Sequence, residues 1–97
     1  MVLHCLSATP GSDAFERCLQ LAGPEDTVLL MGDAGYALLP NADAEAVLRD
    51  CTAQLCALTP EMDARGIDLS QISDVTAVDD AGFVRLSEIH VQQVAWY

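Results

Sequence analysis

The sequence predicts an α/β fold: one domain over residues 1–97, a three-layer sandwich around a mainly parallel sheet of four to five strands. Three observations predict it. Thr27 to Met31 is an unbroken apolar run bounded by turn formers, the pattern of a strand buried on both faces at the centre of a parallel sheet. Short apolar runs then alternate with segments whose apolar residues recur at helical spacing. Finally, helix-start signals separate the two kinds of segment, as at Ser12-Asp13, Thr59-Pro60 and Asp79-Asp80.

The elements follow in order. Val2 to Leu6 is a short apolar first strand, and Ser7 to Ser12 a loop. Ser12 or Asp13 caps a helix reaching about Ala22, because Phe15, Cys18, Leu19 and Ala22 fall on one helical stripe. Gly23-Pro24 ends it. After the central strand, Gly32 and Gly35 let the backbone turn sharply at the strand's carboxyl end, with Asp33 between them as cap for a helix starting near Ala34. That helical turn stops at Pro40. Asn41 then caps a second helix, Ala42 to Asp50, which buries Ala44, Val47 and Leu48.

Gln54 to Leu58 is the third strand, containing Cys56. Thr59 supplies a hydroxyl cap and Pro60 the first helical position of a brief helix closed by Gly66. Residues 67–73 form a turn-rich connection to a β-branched fourth strand, Val75 to Val78. Asp79 or Asp80 caps the last helix, Ala81 to His90, which buries Phe83, Leu86 and Ile89 or His90. The tail VQQVAWY is a fifth, edge strand ending in two large rings, Trp96 and Tyr97.

Composition narrows the function classes. A chain of 97 residues with 52% hydrophobic residues and mean hydropathy +0.26 leaves apolar surface that another subunit covers, so an oligomer is expected, with a homo-oligomer of the isolated chain as an alternative. Fifteen acidic residues face four arginines and no lysine, for a net charge of -11. Phosphate backbones are held by clustered Lys and Arg, so direct nucleic-acid contact is disfavoured. The scattered acids read as a solvated face, or as a surface that steers toward a basic partner. The chain shows neither a secretory signal nor a membrane-length apolar stretch, so a cytoplasmic location with Cys5, Cys18, Cys51 and Cys56 as reduced thiols is expected.

No chemical constellation dominates. The Cys51–Cys56 spacing matches no zinc knuckle and His4 and His90 lie far apart, so no metal is expected. A phosphorylated receiver domain needs a lysine that this chain lacks. The Ser7 to Ser12 loop is placed to cradle the phosphate of a nucleotide or flavin, but it carries no phosphate-binding glycine pattern; a plain connection and no cofactor are the simpler reading. Asp33 and Tyr36 stand where a parallel sheet collects its ligands, as acid or cap and as pocket wall or packing ring respectively. Cys18 lies on or beside the buried helical stripe, flanked by Arg17, and is at most weakly activated as a nucleophile.

Leu3-His4, Glu16-Arg17-Cys18-Leu19, Gly32-Asp33-Ala34-Gly35-Tyr36-Ala37, Asp63-Ala64-Arg65-Gly66, and Phe83-Val84-Arg85-Leu86 with His90, Gln93 and Ala95-Trp96 occur in this order. Together they resemble the DsrH/TusB family of sulfur-relay subunits over essentially the whole chain, with Ala34 as an insertion. The resemblance implies a DsrE/DsrF/DsrH-like fold that joins DsrE/TusD-type and DsrF/TusC-type partners in a heterohexameric sulfurtransferase complex. Such complexes pass persulfide sulfur, in the Tus branch toward the 2-thiouridine of a tRNA wobble base and in the Dsr branch for sulfur oxidation. The main sulfur-carrying cysteine belongs to the DsrE/TusD-type partner, making this chain an accessory subunit. Cys18 falls where DsrH-like members carry a cysteine in the first helix, so it is a candidate persulfide carrier, with core packing as the equal alternative. Asp33, Gly35, Tyr36 and Trp96 are the expected strand-end or interface residues.

Overall fold

The computed structural model describes residues 1–40 and 43–97. Five strands, β1 (Val2–Leu6), β2 (Thr27–Leu30), β3 (Gln54–Leu58), β4 (Thr76–Val78) and β5 (Gln92–Trp96), form one sheet in the order β4-β3-β2-β1-β5. Every pairing is parallel, which requires a crossover between successive strands. The helices α1 (Asp13–Leu21), α2 (Glu45–Asp50), α3 (Thr59–Ala64) and α4 (Asp80–Ile89) provide most of these crossovers. A 3-10 helix, Gly32–Leu38, follows β2 directly, and a shorter one, Leu69–Gln71, lies in the 67–73 connection. All four residues of β2 are buried, as its unbroken apolar run predicts for the middle strand.

Because side chains alternate along a strand, Val28 and Leu30 project to one side of the sheet and Leu29 to the other. On the first side they join Leu6, Phe15, Cys18, Leu19, Ala57 and Met62 in the larger core. On the second side Leu3, Leu29, Cys56, Leu58 and Val78 form a smaller cluster against Phe83 and Leu86 of α4. This is the expected three-layer arrangement, but its layers are unequal. Phe83 and Leu86 stay only half-buried, and Cys5 and Met31 beside them are not fully covered.

Two predicted caps form as expected. The Ser12 hydroxyl accepts the Phe15 N–H at 3.3 Å, and Asp79 Oδ1 accepts the Gly82 N–H at 2.7 Å. Gly66, at φ +72°, closes α3, and the Ile67 N–H returns to the Met62 carbonyl. Several expectations are corrected. The second helix starts at Glu45, with Ala44 at its cap position; the expected cap Asn41 lies outside the described residues. Thr59 lies inside α3 and Leu58 holds the cap position, because Pro60 needs no N–H acceptor there.

Asp33 caps nothing. The first free N–H of the 3-10 helix, that of Gly32, is instead accepted at 2.8 Å by Glu61 Oε1, reaching across from α3. Gly32 makes the expected turn, at φ +54°, but Gly35 does not. Its role is spatial: a Cβ there would lie 2.4 Å from Met62 Sδ, so the absence of a side chain is what lets the 3-10 helix meet α3. Of the alternatives at the end of α4, His90 is buried and Ile89 is 63% exposed. The tail forms the predicted edge strand against β1, with Trp96 folded inward and Tyr97 exposed. Among the described residues no helix is long and apolar enough to cross a membrane.

Candidate functional site

The carboxyl ends of β1 and β2 hold most of the predicted site residues. Ser7 follows β1; its N–H donates to the Trp96 carbonyl at 2.9 Å and its hydroxyl to the same oxygen at 3.3 Å. Opposite it, Arg65 reaches over the turn after β2. Its guanidinium lies 6.0 Å from the Tyr36 ring centroid, places Nη2 3.4 Å from Asp33 Oδ1, and donates from Nη1 to the Glu61 carbonyl at 3.2 Å. Asp33 and Tyr36 are therefore brought together, by an arginine that pattern reading did not connect with them. Gly35 sits beneath them, buried against Met62 and away from the surface. The ensemble pins the 3-10 helix to α3, and the Asp33–Arg65 pair, partly exposed on both sides, contributes little by itself.

The Ser7 to Ser12 loop borders a pocket of about 380 Å³ lined by Thr9, Pro10, Gly11, Glu16, Tyr36, Asp43 and Ala44. Two carboxylates and no basic side chain line it, so its field opposes a phosphate. No group of three or more His, Cys, Asp or Glu side chains among the described residues is arranged to hold a metal ion.

All four cysteines are free thiols. Cys18 faces the sheet from α1 with no exposed surface. Burial pushes its thiol up to about 12, and the neighbouring Cys51 and Cys5 add to the shift, so it is protonated at neutral pH. Burial also raises the Cys5 and Cys56 thiols, on β1 and β3. Cys51, just beyond α2, is half-buried.

The most ordered polar arrangement escaped the sequence reading. Asp26, just before β2, accepts the Val2 N–H at 2.9 Å, the Gly23 N–H at 3.0 Å and His4 Nε2 at 3.2 Å. The Gly23 amide chiefly, with His4 and Val2, holds its carboxyl down at about 2. His4 in turn accepts the Trp96 indole N–H at Nδ1, 3.1 Å away. The sequence signal is indirect: His4 and Trp96 stand in the Leu3-His4 and Ala95-Trp96 dipeptides of the family resemblance, at opposite ends of the chain.

The family model described as DsrH like protein matches residues 9–93. This chain belongs to the DsrH family. The protein TusB of Shigella flexneri is 30% identical to this DsrH-family chain over 95 residues, covering 98% of the chain and 100% of the relative. The same figures hold for the protein TusB of Escherichia coli strain K12/DH10B. Its fold is shared with the solution NMR structure of protein Tm0979 from Thermotoga maritima, at a TM-score of 0.68 and 19% identity, over 91% of this chain and 92% of that one.

Proposed function

We propose that this DsrH-family chain, acting as one domain over residues 1–97, is an accessory subunit of a cytoplasmic sulfur-relay complex. It assembles with TusC/DsrF-like and TusD/DsrE-like subunits into a heterohexamer that passes persulfide sulfur toward 2-thiolation of the tRNA wobble uridine. The observation carrying this reading is the full-length match to relatives named TusB together with the state of the cysteines. A fully buried Cys18 held protonated at neutral pH suits a packing role, leaving the sulfur-carrying thiol to a partner. The net charge of -11 without lysine fits a subunit that does not itself touch tRNA. The thin cover over the second face of the sheet suits a chain built to be buried against other subunits.

Co-expression with TusC/DsrF-like and TusD/DsrE-like chains, followed by native mass measurement, tests the reading. One complex containing all three chains is the expected result; a chain that remains alone in the presence of both overturns it. A DsrH-type role in sulfur oxidation is the second reading, favoured by the description of the matching family model. Deleting the gene separates the two: the Tus-type role predicts loss of wobble 2-thiouridine, and the Dsr-type role leaves it intact.

A further inference from the structure

We propose that His4, Asp26 and Trp96 form an acid-responsive clasp on the C-terminal strand, in which protonation of His4 expels the Trp96 indole and loosens the end of β5. The inference does not rest on the sulfur-relay reading.

Hydrogen-bond chemistry defines the neutral state. An indole N–H only donates, so the 3.1 Å contact from Trp96 Nε1 requires a lone pair on His4 Nδ1. The imidazole proton therefore sits on Nε2 and points at Asp26 Oδ2, 3.2 Å away. Asp26 is tied by two backbone amides as well, and its carboxyl stays ionised down to about pH 2. When the imidazole takes up a second proton, the only free position is Nδ1, the atom the indole occupies. Two N–H groups then face one another, while the contact to Asp26 becomes an ion pair. Asp26 gains by that charge and Trp96 loses its acceptor, so the indole is the group that leaves.

Among the described residues, the hydrogen-bond partners of His4 are Asp26 and Trp96 alone. Its strand neighbours are Val28 on β2 and Val94 on β5, neither ionisable. From α1, Cys18 remains protonated throughout, and Asp13 and Arg17 are exposed while Glu16 lines the pocket at the opposite, carboxyl end of the sheet. Met1, which carries the amino group next to Val2, is exposed. His90, the other buried histidine, belongs to the α4 side of the sheet, with Nδ1 donating to the Leu86 carbonyl and Nε2 accepting from the Thr27 hydroxyl. β5 has β1 on one side only and carries the exposed Val94, with exposed Tyr97 just beyond its end, so the clasp adds to its ladder and the Ser7 contacts.

Trp96 is the sole tryptophan, so intrinsic fluorescence of the full chain reads this ring alone. Titrating from pH 8 to 5 should give one fluorescence transition that coincides with the His4 ring titration followed by NMR, with far-ultraviolet circular dichroism unchanged. Exchange of the indole N–H, corrected for its intrinsic pH dependence, should quicken by up to about tenfold, the scale of one ordinary hydrogen bond. His4→Gln offers the indole a carbonyl and Asp26 an N–H without titrating, and should abolish the transition; His90→Gln should keep it. The proposal is overturned if wild type shows no transition, if His4→Gln retains it, or, without any variant, if His4 titrates while the indole exchange rate stays constant.

Discussion

Alkylation of Cys18 decides whether the thiol of α1 is reactive or structural. A thiol at about 12 has a thiolate fraction near pH 7.5 roughly a thousandfold below one at the usual 9.0. Since the thiolate is the nucleophile, that difference alone slows reaction about a thousandfold, and an unexposed side chain must also wait for α1 to open. Native chain treated with iodoacetamide at pH 7.5, quenched at intervals and read by peptide mass spectrometry, should lose its half-buried Cys51 thiol first. Cys18 should lag far behind it, and a persulfide donor should leave it without the added sulfur of about 32 mass units. Replacing Cys18 by Ser should destabilise the chain by about 1–3 kcal/mol, because a hydroxyl arrives where only a small apolar group packs. Modification of Cys18 within tenfold of the Cys51 rate would refute the packing assignment.

Three further outcomes follow from the contacts. Gly35→Ala drives a methyl to 2.4 Å from Met62 Sδ and 3.1 Å from Ile67 Cδ1, inside the core, and should cost about 1–3 kcal/mol in urea unfolding; the cost should shrink when Met62→Ala is made in the same chain. Asp26→Asn tests linkage. A carboxyl moved from 3.8 to about 2 by folding stabilises the folded chain above about pH 4, and that contribution disappears as pH falls through about 2. The stability gap between wild type and this variant should therefore close on acidification, as read by denaturant titrations between pH 5 and 2. Glu61→Ala removes the acceptor of the Gly32 N–H and should cost about 1 kcal/mol, with faster amide exchange at Gly32 as its local signature.

Local pattern determined much of this protein. The unbroken apolar run of β2, the stripe of Phe15, Cys18 and Leu19, and the hydroxyl and carboxylate caps at Ser12 and Asp79 are properties of neighbours in the chain, because strand and helix periodicity and capping act within a few residues. The alternation of such segments was enough for a parallel sheet with helical layers. Tertiary structure alone decided the roles of Asp33, Gly35, Glu61 and Arg65. The acceptor for Gly32 comes from a residue 29 positions away, and the space denied to a side chain at Gly35 is filled by Met62. The reach is longest at His4 and Trp96, separated by 92 positions and joined only because β1 and β5 lie side by side. A hydrogen bond of that kind leaves no periodicity in the sequence, since its partners are set by strand order and register.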